Sequence, residues 1–208
     1  LQTLQMVFFS TIFSILLGLP LGILLCVTRP EEHGGIMPKP VLNSILDKIV
    51  NVLRSFPFVI LMIILFPLSR LLVGTTIGTT ATIVPLSIAA APFAARVIET
   101  SLKEVDTGVV QAARSMGSTN RQIIFKVMIP EAMPSLVSGV TLTIINLVGY
   151  SAMAGAIGGG GLGDLAIRYG YQRTRTDVMI VAVVIILVLV ELIQFIGNKI
   201  SAQILSKR

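Results

Sequence analysis

The side chains best suited to handling a small solute gather in one stretch, Asn146-Leu-Val-Gly-Tyr150-Ser151-Ala-Met153. Tyr150 and Ser151 supply hydroxyls, and Met153 supplies a flexible, polarisable thioether that suits apolar or sulfur-containing surfaces. Asn146, Tyr150, Ser151 and Met153 are therefore candidates for lining or gating a path; simple packing between helices is the plain alternative. The glycines from Gly155 to Gly163 follow, and their backbone freedom would give an adaptable loop or a passive hinge. They do not make a nucleotide loop, because the basic residues beyond them do not fit one, and no G-x-x-x-x-G-K-[ST] run occurs anywhere in the chain. Cys26 is the single cysteine, which excludes an intramolecular disulfide and a cysteine metal cluster. His33, the single histidine, reads as a solvated loop residue. Hence no catalytic residue and no metal ligand is expected. Glu191, an ionisable group in an apolar run, is a functional hypothesis by default. Its place toward the end of that run favours snorkelling or pairing, with Gln194 on the same polar face, over proton coupling.

A second constellation lies upstream. Val109, Val110, Ala113 and Met116 recur at helical spacing, with Gln111 and Arg114 on another face, and Gly117 stands where a left-handed cap would end the helix. Thr119 followed by Gln122 reads as a capping box, Ile123, Ile124 and Val127 supply an apolar stripe, and Pro130 limits continuation. The segment predicts two short amphipathic helices joined by a tight turn, too short to cross a bilayer. On patterning alone such a pair would serve as an interfacial anchor.

The elements that must position these residues follow from composition. The 208 residues are 54% hydrophobic and 12% charged, with a mean hydropathy of +0.91, so the chain's solvent is lipid. A hydrocarbon core of roughly 30 Å needs about 20 apolar residues per helix. Five runs qualify, at 4–27, 49–72, 79–95, 134–154 and 178–196, of which the third is the weakest. Continuous apolarity rather than alternation makes them helices and not barrel strands. The predicted fold is an all-α polytopic membrane protein with five transmembrane helices in a single domain over 1–208. The long connection at 100–132 carries the amphipathic pair. The first run lacks the basic start and cleavage pattern of a signal peptide and is expected to remain in the mature chain.

The net charge of +6 resolves into twelve basic residues on one side of the five runs and four, Arg70, Arg168, Arg173 and Arg175, on the other. Retention of basic loops inside explains this better than a nucleic-acid surface, and it places the N-terminus out and the C-terminus in. Pro20, Pro57, Pro67, Pro85 and Pro92 lie in or near the runs as potential kinks. Gly18 and Gly22, four residues apart, would let another helix approach closely, or are chance features of an apolar segment.

The run Gln111-Ala112-Ala113-Arg114-Ser115-Met116-Gly117, nine further residues, then Val127-Met128-Ile129-Pro130, resembles the cytoplasmic signature loop of ABC importer permeases. That family's pattern is Glu-Ala-Ala, three residues, Gly, nine residues, Ile, one residue, Leu-Pro. Ala112, Ala113, Gly117 and Pro130 keep their places; Val127 and Ile129 conserve apolar character; Gln111 replaces the acid and removes a charge. The 146–163 stretch resembles the methionine-importer branch of the family, as do Arg54-Ser-Phe-Pro-Phe58, Ala91-Pro-Phe-Ala-Ala-Arg96 and Tyr169-Gly-Tyr171.

This resemblance implies a type I ABC importer transmembrane domain in a bacterial cytoplasmic membrane. It implies a permease that moves methionine, in L- or D-form, inward by alternating access. It also implies partners: a dimer of ABC ATPase subunits that use ATP and magnesium, an extracytoplasmic binding protein anchored as a lipoprotein, and a second copy of the chain. The chain itself would bind no cofactor and perform no hydrolysis. Gln111, Ala112, Ala113, Arg114, Gly117, Val127, Ile129 and Pro130 would couple to the ATPase. The rivals are a permease for another amino acid or small solute, an ion-coupled transporter or channel, and a non-transporting scaffold. A coupled transporter should show several intramembrane ionisable groups or an internal repeat, and only Glu191 approaches the first.

Overall fold

The computed structural model describes residues 1–206, with His33 described by its backbone alone. Lys207 and Arg208, two of the basic residues assigned to the inner side, and the side chain of His33 therefore lie outside the described residues. Four helices are each long and apolar enough to cross a membrane: α1 (Gln2–Val27), α4 (Thr79–Lys103), α7 (Met133–Gly155) and α9 (Thr176–Leu205). A fifth candidate is a bent pair, α2 (Pro40–Ser55) and α3 (Phe58–Val73), which meet at 104° and are long and apolar enough only when taken together.

The expectation of one continuous span at 49–72 is corrected by this bend. Phe56, held extended at φ −68°, ψ 131° by the proline that follows it, and Pro57 at ψ 124° cannot continue α2. Pro20, Pro67, Pro85 and Pro92 instead sit inside continuous helices. Helix α2 is amphipathic in an unusual sense. Asn43, Asp47 and Asn51, one turn apart, face the protein, while Val41, Ile45, Ile49 and Val52 are exposed and apolar. Asn43 donates to the Leu25 carbonyl at 2.8 Å, and Asn51 accepts from Arg96 at 2.8 Å.

Contacts fix the relative directions of α1, α4, α7 and α9. Helix α1 starts beside the glycine-rich turn, where Gly161 and Leu162 donate backbone N–H groups to the Gln2 and Thr3 side chains at 2.9 Å each. It ends among Ile36, Ile98 and Leu102, near α5 (Thr107–Ser115). Helix α4 starts at the glycine end, where Gly78 donates to Gly158 at 3.0 Å, and runs toward α5; α7 returns, and α9 ends near Val105 and Glu131. The N- and C-terminal helices thus begin and end at opposite ends of the bundle.

Helix α4 departs most from its sequence signal. Its apolar run, the weakest in the sequence, lengthens to Lys103 and becomes the most buried of the long helices. The extra turns carry charge that is satisfied in place: Glu99, 3% exposed, pairs with Arg96 at 2.7 Å and with Lys103, and Arg96 also reaches Asp47 at 2.6 Å. Against this helix pack Gly18 and Gly22 of α1. A Cβ at Gly22 would stand 2.6 Å from the Ala95 carbonyl oxygen, and one at Gly18 would stand 2.8 Å from the Ala94 Cβ. The pair is therefore a close helix contact, with α4 presenting Ala91, Ala94 and Ala95.

Candidate functional site

At one end of the bundle, α5 opens on Asp106, whose carboxylate accepts from the N–H groups of Gly108 at 2.7 Å and Val109 at 3.3 Å. It closes as the sequence pattern predicts. Gly117 takes φ +78°, its N–H bonds the Arg114 carbonyl at 2.9 Å, and Ser118 N–H bonds that of Ala113 at 3.1 Å, which together form a Schellman closure. The next helix, α6 (residues 120–131), opens on the expected capping box. Thr119 N–H donates to Gln122 Oε1 at 2.8 Å, and Gln122 N–H donates to Thr119 Oγ1 at 3.4 Å.

Pro130 does not stop this helix. Over Ile123–Met128 the helix widens to a π register, and Ile129 N–H bonds the Ile124 carbonyl five residues back. The register shift lets the chain pass a proline that has no N–H of its own and reach Glu131. The break comes at Ala132, before α7.

The four apolar residues expected to share one stripe on α5 are divided. Ala113 is buried and Val110 half-buried, packed with Ile123, Ile124 and Met128. Val109 and Met116 point away at 44% and 79% exposure. With Ala112 between them at helical spacing, they form a small apolar face beside exposed Gln111. Phe125 adds a ring that is 62% exposed. Arg114 is not a free outward charge: its guanidinium donates to the Ile36 carbonyl at 2.7 Å, tying α5 to the loop that follows α1. Val127 and Ile129 are half-buried, and Pro130 is exposed.

Further into the bundle, Asn146 and Tyr150 lie one turn apart on α7 and line a cavity of ≈ 220 Å³ with Arg54, Phe56, Phe58 and Phe93. Tyr150 stacks on Phe58 with centroids 4.4 Å apart and planes 4° from parallel. Ser151 is directed elsewhere: it is 1% exposed and donates to the Val148 carbonyl at 2.7 Å. Met153 is 48% exposed on the face of α7 that also carries exposed Leu142 and Gly149, and it does not line the cavity. The structure thus brings together Asn146 and Tyr150 and separates them from Ser151 and Met153. Arg54 and Phe93, which no single motif marks as site residues, complete the cavity. The signal in the sequence was an arginine immediately before a Ser-Phe-Pro break in an apolar run.

At the opposite end from α5, the glycine segment is neither an adaptable loop nor a bare hinge. A Cβ on Gly155 would lie 2.1 Å from the Asp164 nitrogen, and one on Gly163 would lie 2.1 Å from the Ala152 carbonyl oxygen. The glycines let α8 (residues 161–171, with Leu165–Tyr171 in π register) pack directly on the end of α7. Glu191 is exposed on α9 rather than buried, and Gln194 donates to Asn198 at 2.7 Å. With α9 covered on little of its surface, burial of Glu191 within this chain does not occur.

Residues 14–206 match the family described as binding-protein-dependent transport system inner membrane component. The probable D-methionine transport system permease protein MetI of Vibrio cholerae is 52% identical over 197 residues, covering 95% of this chain and 86% of that protein. The methionine import system permease protein MetP of Bacillus subtilis is 49% identical over 177 residues, covering 85% and 79%. A solved structure of inward-facing conformations of the MetNI methionine ABC transporter aligns with a TM-score of 0.94 at 48% identity, over 98% of this chain and 93% of that one.

Proposed function

We infer that this chain, which belongs to the family of binding-protein-dependent transport system inner membrane components, is the membrane-spanning permease subunit of an ATP-driven methionine importer. It is a multi-pass protein of the cytoplasmic membrane. Two copies form the path, and each docks one ATPase subunit through α5, so that ATP and magnesium are used by the partner. An extracytoplasmic binding protein delivers methionine at the glycine-rich end, which faces outward, and the end carrying α5 faces the cytoplasm.

The observation that carries this reading is the uncovered Val109, Ala112 and Met116 face of α5, held rigidly by the Asp106 cap, the Gly117 closure and the Arg114 tether. A short helix fixed at both ends transmits a rigid-body push, which a floppy loop would absorb. When the ATPase subunits close on ATP, Gln111, Ala112, Ala113, Arg114 and Gly117 move with them. Val127, Ile129 and Pro130 pass that movement through the continuous α6 into α7, where Asn146 and Tyr150 lie, with Ser151 next to Tyr150 and Met153 three residues beyond it. Hydrolysis then resets the inner opening. The cargo assignment rests on the relatives, and neither L- nor D-methionine is preferred by anything in the geometry.

The test is uptake of labelled methionine into proteoliposomes holding this chain, its ATPase and its binding protein, with and without internal ATP. ATP-dependent accumulation is expected. Assembly with stimulated ATPase but no methionine uptake would overturn the cargo, and failure of any ATPase to associate would overturn the coupling role.

A further inference from the structure

We propose that the cavity at the α2–α3 bend is a binding site for the free amino-acid zwitterion, with Arg54 receiving the α-carboxylate. The inference rests on the methionine-importer reading and adds to it the place and chemistry of recognition during passage.

Size comes first. At ≈ 220 Å³ the cavity is smaller than the roughly 300–1,000 Å³ of sites for drug-sized molecules, and it suits a single amino acid. Its lining combines two chemistries. The last turn of α2 delivers Arg54, whose forked donors match a carboxylate better than any point charge. Asn146 on α7 offers both a donor and an acceptor. The remainder is apolar and ring-rich: Phe56, Phe58, Phe93 and Tyr150, with Leu61 closing the wall. Sulfur seated at ring edges is favourable, so a thioether fits this wall better than a hydroxyl or an amide would.

Charge narrows the choice further. Among the described residues lining the cavity none is acidic, so a cationic side chain would find no counter-charge, while an α-ammonium can rest against the faces of the rings. The bend is what builds the site. Were α2 and α3 one straight helix, Arg54 and Phe58 would lie one turn apart on the same rod; with the break at Phe56 and Pro57 the two helices meet at 104° and both residues line one cavity. The stack of Tyr150 on Phe58 then joins α3 to α7, so the wall moves with the helix that α6 drives.

The test uses a photoactivatable diazirine analogue of methionine on the assembled complex of this chain with its ATPase in lipid nanodiscs, without binding protein. Labelled peptides of this chain are mapped by mass spectrometry. Label is expected on 56–61, 93 or 146–150, suppressed by excess methionine and not by methionine methyl ester, which lacks the carboxylate charge. Arg54→Gln should lower that labelling about tenfold, the scale of one lost charge-assisted hydrogen bond, while Arg54→Lys keeps part of it. Phe93→Ala, which removes a ring from the cavity lining, should also lower it; retained co-purification of the ATPase shows that each variant is assembled.

Label confined to other segments, label in Arg54→Gln equal to that in the unmodified chain, or label that methionine does not suppress, as a lipid-filled cavity would give, overturns the proposal. If the unmodified complex takes up no methionine in proteoliposomes, the importer reading fails instead. The two failures are thereby distinct.

Discussion

Arg96 of α4 and Asp47 of α2 meet at 2.6 Å although 49 residues separate them, and the same guanidinium holds Glu99, which is 3% exposed, at 2.7 Å. One side chain therefore both neutralises a buried carboxylate and docks the amphipathic half of the bent span. The two halves of this arrangement differ in exposure, and that difference orders their energies.

Arg96→Ala leaves Glu99 with Lys103 as its remaining ion-pair partner and is expected to destabilise the chain by about 1.5–3 kcal/mol, the scale of a lost hydrogen bond to a charged group. Asp47→Asn removes a carboxylate that is 41% exposed and should cost under about 1 kcal/mol. Thermal unfolding of the detergent-solubilised protein checks both. Equal shifts for the two variants would contradict this order.

Gly22→Leu should be more damaging than its apolar character suggests. The added Cβ would press on the Ala95 carbonyl oxygen from 2.6 Å, a backbone atom that cannot swing aside. Overpacking of this kind costs about 1–3 kcal/mol, and more where backbones must part. Gly149→Leu, on the open face of α7 where nothing lies within 4 Å, is the control and should leave unfolding unchanged.

Gly117 has open space around it, so its requirement is purely conformational: at φ +78° a β-branched residue is strained by about 1–2 kcal/mol. Gly117→Val should preserve the membrane dimer and disturb the closure of α5, raising the ATP hydrolysed per methionine carried. Gly117→Asn, which tolerates the left-handed region, should stay close to the original ratio. Transport by Gly117→Val indistinguishable from the original would refute a coupling role for this turn.

Met116, at 79% exposure, contributes little to the fold of the isolated chain. Met116→Asp is expected to leave unfolding within about 0.5 kcal/mol and to weaken co-purification of the ATPase by about tenfold or more, as a charge placed in the apolar centre of a docking face does. Loss of stability without loss of the partner would place Met116 in the core of the chain instead of at its interface.

Features whose causes are local were legible in the chain before any fold was known. The Thr119–Gln122 capping box and the Gly117 closure satisfy backbone groups within a few residues, so their signals are complete in a short window. The long runs ending at Val27 and beginning near Met133 and Thr176 are legible for the same reason: lipid demands a continuous apolar helix wherever the chain crosses.

Packing settled what depends on helix rotation and on partners distant in sequence. A run that looked continuous at 49–72 was divided at Phe56 and Pro57 but not at Pro67, because a proline in an apolar run is compatible with either a break or a continuing helix. The weakest run became the central helix, since small residues such as Ala91 and Ala95 read as modestly apolar yet admit the closest packing against Gly18 and Gly22. Tyr150 and Ser151 are adjacent in sequence and point to different surroundings, because one residue turns a helix by about 100° and only the packed bundle fixes which of the two faces the cavity.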